Sequence, residues 1–352
     1  LAKISQKPET MKKHFFLILL MALPMLSFTG DKPAYQLYNQ EGKKVKYDKM
    51  LKELAEADII FFGELHTDPI AHWLQLELTK DLFEQRKEAL VLGAEMFEAD
   101  NQLILSEYLE GNYATDKFEA EMRLWKNYKT DYKPLVEFAK KNQVPFIATN
   151  IPRRYASMVH KKGFEGLDEL SEEALRYIAP LPILYDPEVK CYKDMLNMGA
   201  LEAPKGMESS DTEEAPKAPK TMMSSDEGEA PKDMESTEET VAPMAMPAGH
   251  GKGMPKNTMA NLPKAQAAKD ATMAHFILKN WTEGLTMFHF NGTYHSDNFE
   301  GIVWHLKQEN PELKIMTIAT VQQTEIDSLS EENEHLASYI LAIPENMTRT
   351  SR

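Results

Sequence analysis

Thiols are almost missing from this chain: 352 residues carry one cysteine, Cys191. A single thiol excludes an intrachain disulfide framework and any multi-cysteine metal site. Cys191 itself reads as a packed small residue rather than a nucleophile. Positive charge is also scarce, with 40 Lys and Arg against 55 Asp and Glu and a formal charge of −15. That balance argues against a general nucleic-acid binder, while leaving room for a local basic pocket. Long apolar runs are missing after the N-terminal region, so no transmembrane span is expected in the mature chain. The early run, Phe15 to Phe28, follows the basic start Met11-Lys12-Lys13 and leads into Thr29-Gly30. Residues 11–30 therefore read as a secretory signal peptide, its apolar part short for a bilayer span. Residues 1–10 precede a plausible initiator, Met11, and read as an upstream extension. No cysteine stands at the cleavage region, so no lipid anchor is expected. The expectation is a soluble, exported, periplasmic protein.

Aromatic residues vanish between about 199 and 260, where Pro, Met, Glu, Ser and Lys dominate. Glu202-Ala-Pro-Lys205 recurs as Glu214-Ala-Pro-Lys217 and Glu229-Ala-Pro-Lys232, and Ser209-Ser-Asp211 recurs as Ser224-Ser-Asp226. Such a segment cannot bury enough apolar surface to offset its ordering entropy, so 199–260 reads as a disordered insertion. Its methionines and His250 are soft donors that can take copper or haem. The simpler reading is a solvated, self-repelling tether. Residues 31–198 and 261–352 then form one domain.

That domain is organised around residues 58–72. Asp58-Ile-Ile-Phe-Phe62 is a short apolar, β-branched and aromatic run, which reads as a buried strand broken at Gly63. Thr67 or Asp68 can cap a helix whose first turn accepts Pro69. Glu64 and His66 thus sit on a strand-to-helix lip with side chains on one side. The helix predicted over 68–87 carries Ile70, Trp73, Leu74, Leu78 and Leu82 as a core stripe. Further strands are expected at 35–38, 89–97, 143–150, 285–290, 314–320 and 337–343. Helices are expected at 47–56, 132–142, 163–198 with Pro180 and Pro182 as interruptions, 264–278 and 299–308, and after Asp100 and Asn150. Asp100 is read as a cap, with Leu103 and Leu105 inward. Strands alternating with helices predict an α/β fold: a mostly parallel sheet flanked by helices on both faces.

In such a sheet the strand ends collect on one edge, where open α/β sheets bind ligands. That edge would hold Glu64, His66, Glu95, Asn150 with Arg153, His295 and Gln322. Two imidazoles and two carboxylates can bind a divalent transition metal. They can equally form a base and its orienting partner around a water. His275, His289 and His305 read as packed or satisfied groups.

Gly63-Glu-Leu-His66 and Gly292-Thr-Tyr-His295 are two copies of Gly-x-x-His, and Glu95 lies in Gly93-Ala-Glu-Met-Phe-Glu98. With these, the chain resembles the Tiki/TraB/erythromycin-esterase/ChaN superfamily. His72, Gln75, Gln102, Asn150-Ile-Pro-Arg153-Arg-Tyr155 and Lys264-Ala-Gln266-Ala-Ala-Lys-Asp270-Ala-Thr-Met273-Ala are similar to its ChaN-like branch. The resemblance covers roughly 50–325 apart from the insertion. It implies an exported haem-binding protein used in iron acquisition, with haem pairs held between two protomers of a homodimer. It also favours Tyr ligation of the haem iron. Tyr155 is then the first candidate ligand and Tyr294 the second, with His72 a further candidate at the site. Arg153 and Arg154 would pair with the propionates. Tyr155 can instead be a core aromatic, His72 a loop-bonding group, and Arg153 a partner of Glu95. The missing anchor cysteine and the long insertion depart from the family pattern.

Three functions follow from these residues. The first is haem binding. The second is a hydrolase in which Glu64, His66, Glu95 and His295 hold a metal, or a base and a water, as the esterase and protease branches imply. The third is a non-catalytic scaffold whose polar cluster caps strand ends.

Overall fold

The computed structural model describes residues 32–198 and 259–350. The signal peptide, the upstream extension, His250 and nearly all of the 199–260 insertion lie outside the described residues. Seven strands form the sheet: β1 Gln36–Asn39, β2 Ile59–Glu64, β3 Leu90–Glu98, β4 Phe146–Asn150, β5 Thr286–Gly292, β6 Ile315–Gln323 and β7 Tyr339–Pro344. Their order is β1-β7-β6-β2-β5-β3-β4. All neighbours pair in parallel except β1 with β7. The helices are α1 Tyr47–Leu54, α2 Pro69–Arg86, α3 Gln102–Leu109, α4 Thr115–Glu121, α5 Lys133–Asn142, α6 Arg153–Lys162, the single turn α7 Glu172–Leu175, α8 Lys190–Met198, α9 Leu262–Asn280 and α10 Ile302–Glu309. This is the α/β sandwich that the alternation of strands and helices predicts.

Strand β2 shows why both faces need cover. Its alternate residues point to opposite layers. Ile60 and Phe62 join the larger core with Leu74, Leu78 and Leu82 of α2 and Leu135 and Val136 of α5. Ile59 and Phe61 join the other, with Met273 and Ile277 of α9 and Ile302, Val303 and Leu306 of α10. A strand buried on both faces has no polar alternation to show, which is why 58–62 reads as an unbroken apolar run. Among the described residues no helix is long and apolar enough to cross a membrane.

Several local expectations need correction. Gly63 does not break β2, which continues through Glu64. Glycine is required there because a Cβ would lie 2.8 Å from the Thr293 Cα. Asp68 does cap α2, accepting from the Ile70 and Ala71 amides, with Pro69 at the first position. Trp73, expected in the core, is 47% exposed, and Leu103, expected inward, is 69% exposed. Both sit on helices at apolar spacing, but their stripes are wider than the area each helix covers. Asp100 caps nothing and instead pairs with Arg154 at 2.6 Å and with Arg123. The interruption expected at Pro180 and Pro182 is wider than two prolines, with 176–189 irregular. Helix α10 starts at Ile302 because Asn298 and Phe299 have positive φ.

Burial separates two leucines that the sequence treats alike. Leu78→Ala, at a fully buried site, should cost about 2–5 kcal/mol. Leu103→Ala should stay within about 0.5 kcal/mol. Urea unfolding of both variants checks this, and equal losses would contradict the packing described.

Candidate functional site

Sheet order places the chemistry. Strand β5 lies between β2 and β3, with Glu64 registered against Gly292. The carboxyl ends of these three strands carry Glu64, Glu95 and the Gly292–His295 turn. Gly292 is the cradle between them: a Cβ there would meet His66 Cε1 at 2.8 Å, His66 Nε2 at 2.9 Å and Glu95 Oε2 at 3.5 Å. His295 Nε2 lies 3.2 Å from the other oxygen of Glu95. The two imidazoles, 229 positions apart in sequence, therefore meet around one carboxylate.

Glu64 is fully enclosed by donors. Its Oε1 accepts from the Tyr132 hydroxyl at 2.6 Å and lies 2.9 Å from His66 Nδ1. Its Oε2 accepts from Gln75 at 2.6 Å, with His72 Nδ1 at 3.5 Å. Burial works to raise the Glu64 carboxyl, but His72 and then His66 and Tyr132 hold it below its usual range. Asp131 and Tyr132 arrive on a π-helical turn, Tyr128–Tyr132, a feature often found at functional sites. Asp131 Oδ2 lies 3.4 Å from His72 Nε2 and accepts from Asn127 and Thr350.

The second carboxylate has its own network. Glu95 Oε2 accepts from the Gly292 amide at 2.7 Å. Burial opposes its charge, yet the His295 cation, His66 and that amide keep its carboxyl far below the usual range. His295 Nδ1 lies 2.5 Å from Asp270 Oδ1. Desolvation disfavours its cation, but Glu95 and Asp270 lift the imidazole to about 10. Asp270 Oδ2 accepts from Tyr192 at 2.9 Å, and His305 Nε2 lies 3.2 Å from that hydroxyl.

His66 differs from these rings. Its side chain is 27% exposed, against 5% for His72 and 7% for His295. Trp125 meets it edge-on at 4.9 Å. Its Nδ1 faces Glu64, while its Nε2, 2.9 Å from where a Gly292 Cβ would lie, has no hydrogen-bond partner among the described residues. Such a ring, oriented by a carboxylate and open at its second nitrogen, can accept a proton.

The remaining predicted residues sit as follows. Asn150 donates to the Glu95 carbonyl at 2.9 Å, and its Oδ1 has no partner among the described residues. Gln322 tethers the Asp68 cap and accepts from Arg349. Gln102 closes the outer edge of β4, bonding to the Ala148 amide and the Phe146 carbonyl. His289 is a satisfied core group between Thr149 and Asn291, pushed down to about 4 by burial. His275 packs against Phe276. Tyr155 is buried at the start of α6, its oxygen accepting from Arg154 at 3.1 Å and its ring 4.4 Å below that guanidinium. Arg153 is exposed on the same turn. Tyr294 donates to the Cys191 carbonyl, and burial raises its phenol well above the usual range.

Two expected ligand sets do not fit. Glu64, His66, Glu95 and His295 gather, but their lone pairs do not converge on a point. Both nitrogens of His295 face carboxylates, and all sides of Glu64 face donors. Among the described residues no group of three or more His, Cys, Asp or Glu is placed to hold a metal ion. His72 and Tyr294 do not fit a haem iron either, since their polar atoms are spent on protein partners. Tyr155 differs in its donor chemistry: its oxygen accepts from Arg154 and keeps a lone pair. Sequence reasoning missed Asp131, Tyr132, Tyr192, Asn127 and Trp125.

The fold and lip define a class: a parallel α/β sandwich with paired Gly-x-x-His turns around two buried glutamates. The family model described as "Haem-binding uptake, Tiki superfamily, ChaN" matches residues 50–306. That is more than half of the chain, and the protein belongs to this family. Among solved structures, the one described as cofacial heme binding to ChaN of Campylobacter jejuni is similar, at 15% identity and TM-score 0.56, covering 87% of this chain and 96% of that one. A mutant of the erythromycin esterase EreC in its open conformation aligns at 10% identity and TM-score 0.39, covering 89% and 83%. No curated protein matches the sequence.

The pH dependence of stability has a definite sign. His295 is raised from 6.5 to about 10, so its contribution is complete below 6.5 and is lost as pH rises through about 10. Glu95 is lowered from 4.5, so its contribution is present above 4.5 and is lost as pH falls. Between about pH 7 and 10 the melting temperature of the wild type should therefore fall more steeply than that of His295→Gln. Parallel melting curves across that window would rule His295 out as the group responsible.

Proposed function

We propose that this protein binds haem and serves iron or haem acquisition outside the cytoplasm. The family match across residues 50–306 carries the reading. Within the chain, Tyr155 is the axial ligand candidate, since its phenol oxygen meets Arg154 rather than a backbone acceptor. Burial opposes the Arg154 charge, but Asp100 and Tyr155 hold it above its ordinary range. Arg154 would then steady a ligating phenolate, and exposed Arg153 would meet a propionate. A bound haem would supply redox-active iron. The same proposal includes a periplasmic location, from the reading of residues 11–30 as a signal peptide, and a haem-sharing homodimer, taken from the resemblance to ChaN, which in Campylobacter jejuni binds heme cofacially.

Haemin titration tests the ligand directly. Wild type should give a saturable Soret shift, and Tyr155→Phe should weaken binding by about tenfold or more, roughly 1.4 kcal/mol. Light scattering with and without haemin should show a dimer in the loaded state. Absence of a Soret shift at micromolar haemin overturns the reading.

A second reading is favoured by one observation, the Glu64–His66 pair beside Glu95 with the imidazole part-exposed. It is a hydrolase in which His66 takes a proton from an attacking water and Glu64 steadies the resulting cation. Ester turnover should then be lost in His66→Ala by about a hundredfold or more and be unaffected by chelator. Equal turnover in His66→Ala and wild type removes this reading and leaves haem binding standing.

A further inference from the structure

Proton bookkeeping in the two buried networks reaches further than the strand-end motifs. His72 Nδ1 faces Gln75 Oε1 at 3.2 Å and Glu64 Oε2 at 3.5 Å. Its Nε2 faces the His66 carbonyl at 3.1 Å and Asp131 Oδ2 at 3.4 Å. Gln75 already donates its amide nitrogen to Glu64, so the amide oxygen is what His72 meets. All four neighbours of the ring nitrogens are acceptors, and both nitrogens must donate. His295 is placed in the same way, with Glu95 at Nε2 and Asp270 at Nδ1. The Gln266 amide nitrogen lies 3.0 and 3.2 Å from the two ring nitrogens. Turned end for end, that amide presents its oxygen, which suits a doubly donating ring.

The two networks are therefore alike: a glutamate on a strand end, an imidazole, and an aspartate from a helix or helical turn. Asp131 comes from the π-helical turn and Asp270 from α9. We propose that Asp131 and Asp270 are positioning residues that lock His72 and His295 as doubly donating cations, leaving His66 as the one ring of the lip with an open nitrogen. Tyr192 assists Asp270 by donating to its second oxygen, and His305 donates in turn to Tyr192. His289, Tyr192 and His305 are neutral neighbours of this network, while Glu95, Asp270 and His66 supply or accept its charge. The locked cations keep Glu64 and Glu95 as carboxylates, so the group that meets His66 must bring a proton on oxygen or nitrogen. That last consequence rests on the hydrolase reading; the locking itself does not.

The test uses the full chain without ligand. In protein labelled with ¹⁵N and ¹³C at histidine, long-range proton–nitrogen spectra report each ring's protonation. At about pH 9, well above the ordinary histidine value near 6.5, His295 should remain doubly protonated, and His72 should remain so at pH values above that ordinary value. Asp270→Asn should convert His295 alone to a singly protonated ring, and Asp131→Asn should do so for His72 alone. Asp270→Glu should restore the doubly protonated form. A purely structural role would leave ring protonation unmoved in these variants. A singly protonated His295 or His72 in the wild type overturns the proposal, as does a doubly protonated His295 in folded Asp270→Asn. Should Asp270→Asn not fold, the wild-type spectrum still decides. Locked rings together with absent ester turnover would discard the hydrolase reading while leaving the proposal intact.

Discussion

The Glu95–His295 ion pair is the constraint around which the rest is arranged. Both groups are nearly inaccessible, with 5% and 6% exposure. A buried charge costs several kcal/mol unless it is paired and hydrogen-bonded, and removing one partner strands the other. The surrounding elements answer that demand. Strand β5 offers the Gly292 amide to Glu95, α9 offers Asp270 to His295, and α8 offers Tyr192 to Asp270. Glycine at 292 is part of the same requirement, because any side chain there would occupy the space of the His66 ring. The Gly-x-x-His spacing is thus a steric statement. The glycine lets one imidazole approach, and three residues later the chain returns the other.

The parallel sheet makes this possible without any local motif. Because β2, β5 and β3 run the same way in adjacent positions, residues far apart in sequence reach one lip. That is why the seven strands and the convergence of Glu64, His66, Glu95 and His295 could be read from apolar runs and their polar ends. The supporting shell was harder to read. Asp131 and Tyr132 follow no helical period, since a π-helical turn presents them, and nothing in Tyr128-Lys-Thr-Asp-Tyr132 marks such a turn. Asp270 sits in the middle of a good helix, where an acidic residue looks like a solvated face. Tyr192 lies next to Cys191 in a stretch read as part of one long interrupted helix, whereas its own helix starts only at Lys190. Trp73 and Leu103 failed for the opposite reason. Apolar spacing shows that a helix has a buried stripe, but not how far the neighbouring layer extends over it.

The failed metal expectation has the same origin. Residue types alone made His66, His295, Glu64 and Glu95 a reasonable ligand set. Ligation, however, needs lone pairs aimed at a shared point, and here the carboxylates use theirs on imidazole, phenol and amide donors. The cluster satisfies itself. Of its three imidazoles only His66 is more than marginally exposed.

The residues proposed for haem and the ring proposed as a proton acceptor fall on different parts of one edge. Tyr155 and its arginines follow β4, at the end of the sheet, whereas His66 follows β2. In the order β2-β5-β3-β4 these positions are three strand spacings apart, about 14 Å at ~4.8 Å each. A ligand held at Tyr155 therefore need not displace the Glu64–His66 pair, and that pair need not touch iron. The Glu95–His295 network lies between them, at the ends of β3 and β5, and Asn150 at the end of β4 keeps an acceptor with no partner among the described residues. The lip is divided by chemistry as well as distance: cationic and phenolic at the β4 edge, anionic with one open imidazole at β2.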